Sequence, residues 1–484
     1  MLASCNLGWT RPDTSLPPPE RFRAAAPVSA PPFQGPQEFI GQFRSGELSQ
    51  LVDEALAKNY DIAAAVARIA EADATARTAS VSLFPLMTLN TSTQRTQTPV
   101  TAITPAQLAA SQTGLQTPGA TRTNLSKLGL SVSYEFDFWG KNEDASKAAR
   151  LLANATRFDR STVEISTVAA VLNAYFQVLN TRDRLRIAHR NVEIAAGVLE
   201  ALRIRLAVGT GTILDVAQQA TVLSTQQAAI PQLEQILIQQ NNLLAVLLGR
   251  MPESFDLRGA SLVAIRFPAL QPGLPSEVLL RRPDVAAAEA RLASQEFSVL
   301  QARAAFFPSI TLTGQYGVQS IVFKNLMRPE AIAWQILGNA AQPLFDGDNL
   351  HSQYMLQKAK FAELTASYRK QVLTALSETE NALTAVAKST ERLQRQSEAV
   401  QNARIAMEAA QGRLRAGTID VVTLATTQTA YFQNQDTLEQ VRLARYQAAT
   451  SLYQALGGGW TPTTRDRQIT MANAAFTADR GPWP

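Results

Sequence analysis

Few residues in this chain could do chemistry by themselves. The 484 residues hold two histidines, His189 and His351, and one cysteine, Cys5. A zinc cluster, a disulfide scaffold and a Cys-His nucleophile each need more ligands or partners than that, so no metal or cofactor is expected. Carboxylates are more plentiful. Glu135 and Asp137 lie two apart and would share one face of an extended strand. A general acid/base pair needs a convergent partner, and the stretch offers none. Asp420 follows Gly417-Thr418, where a carboxylate caps a helix; Asp215 is taken as its counterpart earlier in the chain, and as a cap alone. Arg205 and Arg413 precede Gly209 and Gly417, as cations near helix C-termini do. The 45 Lys and Arg against 40 Asp and Glu include no basic run interleaved with aromatics, so nucleic acid is not an expected partner.

The elements that position these residues are written twice. Asp61-Ile62-Ala63-Ala64-Ala65-Val66-Ala67-Arg68-Ile69 matches Asp284-Val285-Ala286-Ala287-Ala288-Glu289-Ala290-Arg291-Leu292, and the same displacement carries Phe84-Pro85 onto Phe307-Pro308. Further on, Arg205-Leu206 with Gly209-Thr210 corresponds to Arg413-Leu414 with Gly417-Thr418. Internal repeats of this kind imply two halves of one architecture, each reading as helix, two strands, very long helix, turn, helix. No proline falls between Gly140 and Ile230 or from Leu344 to Thr461, and an interior proline costs a helix ~3 kcal/mol or more. The spacing predicts helices over 141–208 and 349–416, each ~100 Å long at 1.5 Å per residue. Val178, Leu185, Val192, Leu199 and Leu206 recur every seven residues, as do Val386, Leu393, Val400, Met407 and Leu414. That is a coiled-coil seam, and Ala188, Ala195, Ala403 and Ala410 beside it let backbones approach closely.

Between the helices the period changes to two. Leu128, Leu130, Val132, Tyr134, Phe136 and Phe138 alternate with small or polar residues, and the predicted strands are about 86–97, 126–138, 309–318 and 333–342. Each has the length that crosses a bilayer as a tilted β-strand, with Tyr134, Tyr316 and Trp334 placed as interface aromatics. From Thr88 to Asn124 the only charges are Arg95 and Arg122, as suits a barrel strand entering a long external loop. Four strands cannot close a barrel, and an open edge in lipid leaves backbone groups unsatisfied. Several protomers must then contribute to one barrel.

The opening Leu2-Ala3-Ser4-Cys5 resembles the lipobox at which bacterial lipoprotein precursors are cleaved and acylated on the cysteine; the eight prolines within residues 6–36 suit a tether, and Asn6 in place of Asp implies sorting to the outer membrane. The larger motifs resemble the TolC family of outer-membrane efflux ducts, in its lipoprotein branch serving resistance-nodulation-division pumps. They are Leu280-Arg281-Arg282-Pro283-Asp284-Val285, Phe307-Pro308-Ser309-Ile310, Tyr134-Glu135-Phe136-Asp137-Phe138-Trp139-Gly140, Pro343-Leu344-Phe345-Asp346-Gly347, and Arg413-Leu414 through Gly417 into Asp420-Val421. The match runs from about residue 40 to 460.

The resemblance implies a mainly α fold with a transmembrane β part, trimerising into a 12-strand β-barrel above a 12-helix periplasmic tunnel. Its divisions are a lipid-anchored tether (1–46), a first repeat (47–250), an equatorial linker (251–282), a second repeat (283–459) and a tail (460–484). It implies that the periplasmic tip closes like an iris, with Asp420, Arg413 and Thr423 at the gate; the family often carries an Asp where Thr423 stands. By the same resemblance Arg205, Gly209, Thr210, Gly417 and Thr418 form turns on which a periplasmic adaptor docks, and Glu135 with Asp137 face the lumen. The implied function is that of a passive exit duct for small molecules, a homotrimer partnered by an adaptor and an inner-membrane pump. Alternatives are a duct for type I protein secretion and a periplasmic coiled-coil adaptor, which would not need four amphipathic strands.

Overall fold

The computed structural model describes residues 36–99, 121–259, 261–268 and 275–461, with a few positions between Pro17 and Arg23; Cys5, most of the tether, the middle of the first interstrand loop and the tail beyond Thr461 lie outside the described residues. The elements in chain order are helices α1 (Pro36–Gly41), α2 (Gly46–Lys58) and α3 (Tyr60–Ser80), strands β1 (Leu86–Thr98) and β2 (Thr121–Phe136), and helices α4 (Lys141–Ala207) and α5 (Ile213–Leu247). There follow α6 (Pro275–Leu280), α7 (Pro283–Ala304), β3 (Ser309–Ser320), β4 (Ile332–Ala341), α8 (Asn349–Arg415) and α9 (Val421–Ala455). Both long helices have 67 residues and both returning helices 35, and α8 and α9 begin 208 residues after α4 and α5. Pro231 sits inside α5 and the helix continues through it, so tertiary packing offsets the cost of the missing backbone donor there.

Contacts divide the chain into two compact units, each drawing on both halves of the sequence. Among the described residues, one comprises 72–152 and 293–363 with the sheet at its centre; the other comprises 36–71, 153–292 and 364–461 and is helical. In the first, the four strands run β1-β2-β3-β4, every neighbour antiparallel. The pairing makes the two-residue period physical. Leu89, Leu130, Tyr316 and Trp334 form one row across all four strands, and the adjacent row on the opposite face is Thr88, Ser131, Gln315 and Gln335. The apolar face is bare: Leu89 is 73% exposed, Trp334 72% and Ile336 70%. β2 starts five residues earlier than its apolar alternation indicates, because β1 continues to pair through Thr98↔Thr121 where the side chains are polar. It ends at Phe136, since the Asp137 carboxylate turns to the next element. Below the sheet Trp139 stacks on Phe307 with centroids 4.7 Å apart and donates from Nε1 to the Pro308 carbonyl at 2.8 Å, which accounts for the Phe-Trp-Gly and Phe-Pro motifs together.

The helical unit has an aromatic core. Phe39 of α1 stacks on Tyr453 of α9 at 4.7 Å, and Phe176 of α4 lies 5.2 Å from Phe43 and 5.0 Å from Tyr446. The linker after α5 is clamped onto this core by polar groups. Glu47 accepts from the Arg258 and Gly259 N–H groups at 2.8 and 2.9 Å, Arg182 donates to the Gly259 carbonyl at 2.6 Å, and Asp183 accepts from the Leu262 N–H at 2.8 Å. An extended segment has no ladder to satisfy its backbone, so these side chains supply the partners.

Candidate functional site

The two turns joining α4 to α5 and α8 to α9 carry the residues singled out for gating and docking, and they are built alike. At the end of α4 Gly209 adopts φ +74°; its N–H donates to the Leu206 carbonyl at 3.0 Å and the Thr210 N–H to the Arg205 carbonyl at 2.9 Å. This is a Schellman motif, which needs the left-handed backbone that glycine adopts without strain. Gly417 (φ +71°) repeats it, donating to Leu414 at 3.1 Å, with Thr418 donating to Arg413 at 2.9 Å. The Thr210 and Thr418 hydroxyls add a second bond to the same two carbonyls, at 3.2 and 3.1 Å. Arg205 and Arg413 therefore serve the turns through their main chains. Their guanidinium groups are paired with neither Asp215 nor Asp420 among the described residues.

The caps that follow correct one expectation. Thr212, not Asp215, is the N-cap of α5: its hydroxyl accepts from the Asp215 N–H at 3.2 Å while Asp215 accepts from the Thr212 N–H at 3.0 Å, a capping box. At α9 Asp420 is the N-cap and accepts from the Thr423 N–H at 2.8 Å. The displacement of 208 therefore maps Thr212 onto Asp420 and Asp215 onto Thr423; the two turns exchange their hydroxyl and their carboxylate. Bonds from Thr423, through its hydroxyl and its amide, hold the Asp420 carboxyl below the usual carboxylate range, so it is anionic at neutral pH. The turns also differ in surface. The first exposes Val208, Ile213 and Leu214, the second Arg413, Arg415 and Asp420 beside a single large apolar side chain, Val422.

Behind the turns the helices pack on one another. Leu202 of α4, Ala410 and Leu414 of α8, and Val421 and Leu424 of α9 form one buried cluster, with Val198 and Val216 against it. None of the ten seam positions is exposed, and Val178, Leu199, Met407 and Leu414 are buried outright.

The carboxylates at the base of the sheet part company. Glu135 opposes Thr311 on the polar face and accepts from Lys141 Nζ at 2.5 Å, whereas Asp137 lies past the strand and accepts from the Glu143 N–H at 2.7 Å in the first turn of α4. Sequence reasoning missed two other constellations. The linker clamp left no signal, its members being far apart in the chain. The Arg282 lock did, in the Arg-Arg-Pro-Asp run: the guanidinium is buried, bonds both Asp284 oxygens at 3.0 and 2.6 Å, and donates to Glu378 at 2.7 Å and the Ala455 carbonyl at 3.2 Å.

A family model described as "Outer membrane efflux protein" matches residues 51–250 and 274–458. "Pyoverdine export outer membrane protein OpmQ" of Pseudomonas putida is 34% identical over 452 residues, 93% of this chain and 94% of that protein. Its counterpart in Pseudomonas aeruginosa is 33% identical over 464 residues, 95% of each chain. Among solved structures, the outer-membrane channel OprN is 27% identical, with 94% of this chain and 100% of that one superposed at a TM-score of 0.84.

Proposed function

The chain belongs to the outer membrane efflux protein family, and from that premise we propose that three copies form the exit duct of a tripartite pump. Members of the family are efflux channels of the outer membrane, not enzymes. In the proposed assembly twelve strands close one barrel, a periplasmic adaptor docks on the helix turns, and an inner-membrane pump of the resistance-nodulation-division type feeds small molecules into the tunnel. The observation that carries the reading is the four-stranded sheet, whose rows of apolar side chains stand bare on one face while β1 and β4 each keep an outer edge unpaired within the described sheet. Neighbouring copies would pair those edges and lipid would cover that face. Twelve strands also leave room for a lumen, which eight would fill with side chains. Cross-linking in isolated outer membranes tests this: trimers support it, and monomers alone would overturn it. The apolar first turn suits an adaptor contact better than the charged second one. OpmQ is named for pyoverdine export, and pyoverdine is the first cargo to assay, by its retention in cells lacking this protein.

Asp420 acts here as gate and cap together. Three copies at a constriction form an acidic ring, which favours cations as carboxylate rings do in channels. Asp420→Ser keeps a competent cap and removes the ring, so it raises single-channel conductance in planar bilayers and weakens cation preference. Identical conductance and selectivity in parent and variant would leave Asp420 a cap only, and Arg413 and Thr423 would be the next positions to vary.

Cys5 completes the proposal as the acylated anchor of a lipoprotein. Cys5→Ser loses the lipid yet still inserts, because one anchor adds little beside a barrel. Mass spectrometry of the N-terminal peptide, from protein made with its native signal, decides it: an unmodified cysteine refutes acylation.

A further inference from the structure

The outward face of the sheet is apolar only over part of its height. Its outermost apolar row runs through Leu128, Val318 and Ile332, opposite Thr91 on β1. Two rows further from the helices Arg95 opposes Asn124, and in the next row Gln97 opposes Arg122. Opposed residues share a face, so both arginines project on the side that carries Leu89 and Leu130. They are diagonal neighbours, roughly 7–8 Å apart at Cα, and Arg122 Nε donates to Gln97 Oε1 at 3.0 Å.

Height decides what meets them. Four residues beyond the last apolar row is about 13 Å along a strand, or about 10 Å along the membrane normal at a tilt near 40°. A guanidinium on a flexible stem at that height lies in the headgroup layer. The β3–β4 loop at the same end carries a second pair of cations, Lys324 and Arg328, next to Phe323 and Met327, which are 74% and 75% exposed. Apolar side chains beside cations are the pattern of a segment seated at a membrane interface. Glu330 is the single carboxylate among the described residues of this end.

We propose that Arg95 and Arg122 form a binding site for the phosphate groups of an outer-leaflet lipid, with Lys324 and Arg328 of the β3–β4 loop as a second contact at the same end of the sheet. A guanidinium fork matches phosphate oxygens in pairs, and the apolar rows beneath accept the acyl chains of the same molecule, which a free anion would not use. The inference rests on the outward placement of the strand loops in the proposed duct.

The test is binding to bis-phosphorylated lipid A in detergent, read by native mass spectrometry, beside the same lipid stripped of its phosphates and beside inorganic phosphate. The parent binds the phosphorylated lipid more tightly than the stripped one. Arg95→Gln with Arg122→Gln weakens it by roughly fivefold per arginine, and millimolar inorganic phosphate leaves the lipid in place. Equal binding of the two lipids, equal binding by parent and double variant, or displacement by inorganic phosphate would each overturn the site. Both proteins conduct equally in planar bilayers; a parent that does not conduct would count against the duct instead.

Discussion

Arg282→Ala lowers the stability of the protein by about 3 kcal/mol, the low end for breaking a buried ion pair because Asp284 keeps part of its surface in water. Arg282 is 6% exposed, and its five-donor fork ties the start of α7 to Glu378 on α8 and to the Ala455 carbonyl at the end of α9. Alanine leaves Asp284 with only Gln371 at 2.6 Å and its neighbour's N–H at 3.0 Å. The backbone beside it has no room to adjust, since a side chain at Gly457 would meet the Arg281 carbonyl at 2.0 Å. The pH dependence carries a sign that a lost packing contact would not. Burial pushes the Asp284 carboxyl up, but its bonds to Arg282 outweigh that and hold it below the usual range. In the parent Asp284 therefore contributes stability above pH ~4 that is lost as pH falls through its lowered value. Without Arg282 only the Gln371 and Val285 bonds oppose burial, so the carboxyl moves up from its lowered position and acidification relieves the variant of a charge that the parent keeps paired. Unfolding of the purified protein followed by circular dichroism should show the parent–variant gap narrowing between pH 7 and pH 4; a constant gap would assign the loss to packing.

What the sequence revealed and what it hid divide along the range of the interactions. The long helices depend on the absence of proline and on a seven-residue period, both local, and α4 and α8 end at Ala207 and Arg415, one residue short of the reading because Val208 and Ala416 already belong to the turns. The face of each strand was legible for the same reason. The start of β2 was not, since Thr121 to Leu125 owe their extended form to β1, not to their own alternation. At the turns the Gly-Thr pairs announced the Schellman ends. The caps misled, because a Thr hydroxyl at 212 and an Asp carboxylate at 420 fill the same cap position, each accepting from the N–H three residues on. Arg282 was conspicuous in type, but its meaning lies in Glu378 and Ala455, which no spacing rule could supply.

The seam makes the second large effect, and its two halves fail differently. Leu199 is 3% exposed within a single protomer. Leu199→Asp forfeits about 2 kcal/mol of burial and places an unpaired carboxylate among apolar helices, so the combined loss is several kcal/mol out of a total that is rarely above ~15. The chain then fails to fold, and little protein reaches the outer membrane. Leu393 occupies the same seam 194 residues later but is only half-buried in the protomer; in the proposed trimer the neighbouring copy covers the remainder. Leu393→Asp therefore leaves a foldable protomer and strikes assembly, which appears as helical protein running as monomer where the parent gives an SDS-resistant trimer. Trimer and conductance like the parent's in Leu393→Asp would put that side chain in water. Normal yield of Leu199→Asp would show that the seven-residue stripe is not what holds the long helices together.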